Sequence, residues 1–441
     1  MPLSVPKTAA VTLMAVMLAM TAAPARSAEA TANDTARFLA GLAPSPDSPL
    51  AALAQDPLWR QHAHHFDALF AREESAQLSK IRAFSREWLP DKHDTMLYMF
   101  SGPDFLYATA FFPSASTYVL SGLEPVGDVP QLTRLPRPAV EWTLQNIESA
   151  LGSILNFSFF ITRNMKTQLN EGPVYGTLPI LYVFLARTGK TIREVSLVSL
   201  DAEGNLHAAN DSDGKKGFRY AASAAKGVRI VFADGQAQRT LYYFSTNLAD
   251  GSVTRSGFLT FCAKLGPADS FIKSASYLLH TGGFNTVRNF LLDHSDIILQ
   301  DDSGIPLAYF DPKKWRLQPF GRYVGPLNIF GATYQTRMAQ LFRNATPLDF
   351  GVGYRWRKNE SNLVLAERLA PRTSNGELAP VPAGRPTPAG TDAQPRRKAQ
   401  VPAASPPARR TRVESTSTDA TDCAFAGIFS FCSGWWTPPD Q

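Results

Sequence analysis

The sequence predicts an α/β (or α+β) fold: a mixed sheet containing two βαβ units, a helical N-terminal layer, and a disordered Pro/Ala/Arg-rich C-terminal tail. Three observations carry this. Short apolar runs flank a helical pattern twice, at 95–120 and at 271–300. Two β-rich runs meet at Ala233-Asp234-Gly235. Apolar residues recur at helical spacing before the first strand.

The chain begins with a segment that reads as an export signal over residues 1–30. Lys7 supplies the positive end, Thr8 to Ala23 is apolar, and Ala28-Glu29-Ala30 offers small residues for cleavage after Ala30, with cleavage after Ser27 as the competitor. At about 16 residues the apolar run falls short of the ~20 that a spanning helix needs. The expected location is therefore periplasmic or secreted, in a bacterial envelope.

The helical N-terminal region, 31–90, opens its main helix at Asp56, an N-cap with Pro57 in the first turn. Leu58, His62, Phe66, Leu69 and Phe70 form its stripe, and the pattern runs to Trp88 before Pro90. A first α/β lobe over 91–190 starts with a strand at Thr95–Phe100, a helix at Phe105–Phe112 and a strand at Thr117–Leu120. Helices follow at Pro138–Leu169 and Thr177–Arg187.

A second lobe over 191–370 contains strands at Ile192–Leu200, Val228–Phe232 and Thr240–Phe244, the last two antiparallel, with a polar surface loop over Gly204–Gly227. Then come a strand at Phe271–Leu279, a helix at Phe284–Leu292 and a strand at Asp296–Gln300. Trp315–Leu327 reads as a turn-rich aromatic stretch, Ile329–Arg343 as a helix, and Phe350–Trp356 with Leu363–Ala366 as a closing hairpin. A gapless offset of 179 aligns Tyr98 with Tyr277 and Phe105 with Phe284. That raises internal duplication against the alternative that βαβ units share apolar spacing whatever their ancestry.

Charge is unevenly spread. Of 44 basic and 38 acidic residues, eight basic and three acidic lie in 371–418, and two basic and one acidic in the first 30. The remainder keeps 34 of each, or 34 basic and 31 acidic in the body once Asp419, Asp422 and Asp440 of the last 23 residues are set aside, so the body is close to neutral. A neutral, exported body argues against nucleic acid as partner. Nine prolines make 371–418 an expected solvated linker. Residues 419–441 are aromatic: Cys423 and Cys432 are expected to form a disulfide that presents Phe429, Phe431, Trp435 and Trp436 to a protein groove or a membrane surface, or that folds back to cap an apolar patch on the body. Cys262 reads as a buried, inert thiol.

The site argument is positional, because ligands of open α/β sheets sit at the carboxyl ends of strands. Four polar turns qualify: Ser101-Gly-Pro-Asp104, Ser121-Gly-Leu-Glu124, His280-Thr-Gly-Gly283 and Asp301-Asp302-Ser303-Gly304. Ser101, Asp104, Glu124, His280, Asp301, Asp302 and Ser303 are the candidate ligand-binding residues, suited to a hydroxylated or cationic ligand. The plain alternative is that such residues simply build turns. The pair His62 and His65 lies one helical turn apart, yet no further His or Cys completes a metal site. Gly189-Lys190-Thr191 lacks the earlier glycine of a phosphate loop, and no Gly-x-Ser-x-Gly elbow occurs. No cofactor or metal is expected. The leading expectation is a non-catalytic envelope protein that binds an unidentified small ligand or an envelope protein. The alternative is an exported hydrolase using Asp301, Asp302, His280 and Ser101.

Overall fold

The computed structural model describes residues 29–89, 93–160, 172, 174–208 and 225–370. Residues 1–28 of the export segment, the 371–418 stretch, the Cys423–Cys432 pair and most of the polar loop lie outside them.

Ten strands make one mixed sheet: β1 (Thr95–Tyr98), β2 (Thr117–Gly122), β3 (Thr191–Leu200), β4 (Leu206–Ala208), β5 (Lys226–Asp234), β6 (Ala237–Ser245), β7 (Ala268–Ile272), β8 (Ser295–Gln300), β9 (Trp315–Gly321) and β10 (Asn362–Arg368). Their order is β4-β3-β5-β6-β2-β1-β7-β8-β10-β9. The five central strands, β6 to β8, are mutually parallel, and antiparallel strands flank them on both sides. Strands from 91–190 thus lie between strands from 191–370, so one sheet is common to both stretches.

The helices form two layers. On one face pack α1 (Ala32–Leu39), α2 (Pro57–Glu73), α3 (Ser79–Trp88), α4 (Phe105–Phe111), α5 (Arg137–Phe157) and α6 (Leu178–Arg187), sharing a core with Met96, Tyr98, Leu120 and Phe271. Asp56 caps α2 by accepting from the Leu58 N–H at 2.9 Å. On the other face lie α7 (Asp250–Val253), α8 (Phe258–Lys264) and α9 (Asn285–His294), which bury Val253, Phe258, Cys262, Val287 and Leu291 with Leu97, Met99 and Ile298. Burial pushes the Cys262 thiol well up, as expected of an inert core cysteine. The short α10 (Thr336–Leu341) lies beyond β9.

The two βαβ units, β1-α4-β2 and β7-α9-β8, abut through the β1–β7 pair. Their helices cover opposite faces, as right-handed crossovers running in opposite directions from adjacent strands require.

Several expectations need correction. β7 ends at Ile272 rather than running to Leu279, because Lys273 turns out of the sheet and Ser274, Ser276 and Tyr277 adopt left-handed backbone. Tyr277 is therefore no counterpart of Tyr98, whose partner across the β1–β7 register is Phe271. Trp315–Gly321 is a strand, and its Pro319 is tolerated because β9 lies at the sheet edge. Phe350–Trp356 is not a strand. Its alternation reflects glycines under tight approach: a Cβ on Gly351 would lie 1.5 Å from the Trp356 carbonyl oxygen, and one on Gly353 2.1 Å from Asp301 Oδ2. β10 instead pairs with β9 and β8. The helix expected over Ile329–Arg343 reduces to α10 between tight turns, and β4 interrupts the loop expected over Gly204–Gly227.

Candidate functional site

Strand order reverses between β1 and β7, so the chain leaves their carboxyl ends in opposite directions, the position at which open α/β sheets bind ligands. Three turns meet at that point: 99–104 after β1, 273–277 after β7 and 301–304 after β8.

Lys273, the first residue past β7, is buried among acids. Its Nζ lies 2.8 Å from Asp104 Oδ2 and 3.7 Å from the centre of the Tyr107 ring, and it donates to the Ser158 carbonyl. Asp104 is held twice more. It caps α4 by accepting from the Tyr107 N–H at 3.1 Å, and it accepts from the Tyr98 hydroxyl at 2.8 Å. The Tyr107 hydroxyl donates to Glu73 Oε1 at 2.7 Å. Glu73 ends α2, where a π turn over Glu74–Leu78 displaces the helix register before α3 begins. Burial pushes the Glu73 carboxyl up to about 7, only partly opposed by Tyr107 and Lys273. The same desolvation lowers the Lys273 ammonium, against the pull of Asp104, Asp301 and Glu73.

The second part is the acidic turn after β8. Asp301 accepts from the Ser274 N–H at 2.9 Å, the Ser303 N–H at 3.0 Å and the Ser303 hydroxyl. The Ala275 N–H in turn donates to Ser303 Oγ at 2.8 Å. Asp302 accepts from the Tyr277 hydroxyl at 2.7 Å and from Asn362 Nδ2 at 3.3 Å. Burial first, and the adjacent Asp301 charge second, push the Asp302 carboxyl up to about 7. Burial also raises Asp301, although Ser303, Ser274 and Lys273 favour its charged form.

Around this turn, Asn362 Oδ1, Ser274 Oγ and His280 Nε2 are buried atoms without a hydrogen-bond partner among the described residues. Burial lowers the His280 imidazole to about 4. An aromatic layer covers the turn: the Tyr277 ring lies 4.9 Å from Phe330, 5.2 Å from His280 and 6.1 Å from Tyr354. The Tyr354 hydroxyl donates to the Ser274 carbonyl at 2.9 Å. Half-buried Phe157, Phe330 and Trp356 border this layer.

The structure thus brings together Asp104, Asp301, Asp302 and Ser303, and sets His280 against the Tyr277 ring. Ser101 and Glu124 do not join them. The Ser101 hydroxyl donates to the Gly102 carbonyl at 2.8 Å and accepts from the Ser121 N–H at 3.2 Å, tying the β1 turn to β2. The Glu124 backbone carbonyl accepts from the Tyr243 hydroxyl at 2.9 Å, on the β6 side. The sequence reading missed Glu73, Lys273 and Asn362. None of the three carried a local signal; Lys273 sits within an apolar pattern that runs on to Leu279. His62 is no ligand: Glu148 Oε1 and the Leu39 carbonyl engage its two ring nitrogens at 2.6 and 2.9 Å. Among the described residues, no group of three His, Cys, Asp or Glu side chains is placed to hold a metal ion, and no helix is long and apolar enough to cross a membrane.

No family model, curated protein or solved structure matches the chain.

Proposed function

We propose that this is an exported envelope protein whose α/β body binds a small hydroxylated or cationic ligand over the Asp301–Asp302 turn. One observation carries the reading. Among the described residues, five non-glycine residues have left-handed backbone: Phe100, Ser158, Ser274, Ser276 and Tyr277. Every one belongs to a segment that carries or touches Lys273, Asp104 or Asp301. Each such residue costs of the order of 1–3 kcal/mol, and strain of that kind gathers at functional sites; Ser158 is also the left-handed cap that ends α5, and the other four lie in the turns after β1 and β7. The orphaned polar atoms beside Asp302 support the same place. Carboxyls, tyrosine hydroxyls and aromatic faces in one layer suit a ligand with hydroxyls or a positive charge.

Export rests on the first thirty residues. A cut after Ala30 would leave Thr31 first, and Thr31 is the N-cap of α1, whose side chain accepts from the Asp34 N–H at 3.0 Å. The processed chain would then begin at the cap of its first helix, and the Glu29–Arg134 pair and the packing of Ala30 would be lost on cleavage.

A hydrolytic reading has one observation in its favour, since a carboxyl held near 7 suits a general acid. However, Ser303 is fully buried, its hydroxyl held between the Asp301 carboxylate and the Ala275 N–H, and Ser101 lies elsewhere, so neither serine is placed as an accessible nucleophile.

The deciding experiment is thermal unfolding of the processed chain against saccharides, amino sugars, polyamines and divalent cations, with Asp302→Asn in parallel. A ligand at ~100 times its Kd stabilises by about 2.7 kcal/mol. One compound raising the wild-type midpoint, with the response lost in the variant, is the expected result. Equal responses in both, or none from any class, would overturn the proposal.

A further inference from the structure

A second surface has features of its own. Leu307, Phe310, Trp315, Leu317 and Leu341 supply the apolar part of a groove of about 420 Å³ between β9 and α10, and Arg337 and Gln340 supply a polar part of similar extent. Tyr309, 46% exposed, stands near this groove with its ring 3.9 Å from the Arg288 guanidinium. Lys313, Lys314 and Arg337 are exposed at the rim, where Asp311 is the opposing acid.

We propose that this groove receives the chain's own aromatic C-terminal segment, Cys423–Trp436. Three observations select that occupant. First, the described chain ends beside the groove. Arg368 pairs with Trp315 in the β9–β10 register, and the Leu369 N–H donates to the Lys314 carbonyl at 2.9 Å. The remaining residues therefore depart from the groove's own edge. Second, residues 371–422 can extend over ~170 Å at ~3.3 Å per residue, so nothing prevents the segment from returning. Tethering makes that return an intramolecular event at high effective concentration. Third, the chemistry is complementary. Phe425, Ile428, Phe429, Phe431, Trp435 and Trp436 supply apolar bulk. The 419–441 stretch carries Asp419, Asp422 and Asp440 and no basic residue, opposite a predominantly cationic rim.

Binding of this kind places one or two large aromatic side chains in the pocket and leaves charges at the edge. Its consequence is self-capping: the docked segment shields an apolar patch and keeps those aromatics from other partners until something displaces it.

The test uses the full processed chain with a benzophenone photocrosslinker in place of Phe429, irradiated at low micromolar concentration, with products mapped by mass spectrometry. Crosslinks within one chain to 307–317 or 337–341 are expected. They should be lost in Leu341→Asp and fall several-fold in Trp435→Ala/Trp436→Ala. If Leu341→Asp fails to fold, the tryptophan pair still carries the test, because it leaves the body unaltered. Crosslinks scattered over the body, or none, would overturn the proposal. So would dimeric products that grow with protein concentration, which would assign the groove to a second copy. Crosslinks found only to lipid, when anionic phosphatidylglycerol vesicles are added, would assign the segment to a membrane surface and overturn it too.

Discussion

At the scale of single residues, the buried acids around Lys273 outnumber the ammonium, and their protons decide how they behave. Asp302 is displaced upward to about 7 by burial and by Asp301. Its protonated form is therefore the one the fold favours, and Asn is its neutral isostere. Asp302→Asn should raise the midpoint modestly at pH 5 and more strongly at pH 8, the difference between the two being of the order of 1 kcal/mol or more. Thermal unfolding at the two pH values reads this directly, and equal destabilisation at both would mean that the fold requires the carboxylate. Lys273 behaves oppositely. Lys273→Met would leave Asp104 and Asp301 buried without their cation, which costs about 3–5 kcal/mol. Adding Asp104→Asn should recover part of that loss. A double-mutant cycle in denaturant measures the recovery, and simple additivity would show that the 2.8 Å pair contributes no coupling.

At the scale of elements, the turns position these groups, and here the sequence was readable only in part. The N-cap at Asp56, the antiparallel pair β5–β6 and both βαβ units were legible because each depends on local period or turn chemistry. Asp104, Asp301, Asp302 and Ser303 followed from the rule for strand ends. Lys273 did not, because the apolar pattern Phe271-Ile-Lys-Ser-Ala-Ser-Tyr-Leu-Leu continues smoothly across the true strand end. Only tertiary contacts, Lys273 with Asp104 and the Ser274 N–H with Asp301, force the backbone out of the sheet there. Glu73 was hidden for a related reason, since nothing in the helical period announces a π turn. The 350–356 stretch misled because its glycines answer to close approach rather than to strand alternation. Gly353 has φ +72, and a Cβ there would meet Asp301 Oδ2 at 2.1 Å, an atom already pinned by the Ser274 N–H. Gly353→Ala should therefore cost about 2–4 kcal/mol, combining left-handed backbone with overpacking. Ser274→Gly should do the reverse, gaining about 0.5–1 kcal/mol by relieving a φ of 54° while keeping its N–H on Asp301. Denaturant midpoints of the two variants check both signs, and a stable Gly353→Ala would show that the segment does not press on the acidic turn.

At the scale of the whole molecule, the two ends of the central sheet respond to pH in the same direction. At the carboxyl end, Glu73 and Asp302 are raised to about 7, so the native state holds protons that the unfolded chain has released. Their contribution is complete below about pH 4 and is lost as pH rises toward 7, each tenfold displacement of a proton equilibrium being worth about 1.4 kcal/mol. At the amino end, His93 Nε2 lies 2.8 Å from Asp296 Oδ2, and the His93 N–H donates to Asp269 Oδ2 at 2.8 Å. Arg368 Nε lies 3.0 Å from Asp296 Oδ1. The hydrogen bond that His93 donates to Asp296, outweighing desolvation, raises the His93 imidazole. Its contribution is present below about 6.5 and disappears as pH climbs through the raised value. One opposing group acts in the same range. Burial lowers the His280 imidazole to about 4, so its contribution is lost as pH falls from about 6.5 to about 4, and it offsets part of the loss that the raised groups bring as pH rises. The other opposing groups act lower. His207 holds exposed Asp201 down and Lys358 holds exposed Asp349 down, so their small, solvent-screened contributions fade only as pH drops below the ordinary carboxylate range. The signs add to one profile: the midpoint should be highest at about pH 4 to 4.5 and decline from there to pH 8, with His280 making the fall shallower below about 6.5. Asp302→Asn should flatten the part of that decline below 7, and His93→Gln the part above 6.5. Calorimetric scans of the three proteins across that range separate the two ends of the sheet. A wild-type midpoint that rises from pH 5 to 8 would mean that the acids around Lys273 are ionised in the native state, and the proton-holding account of the switch point would fall.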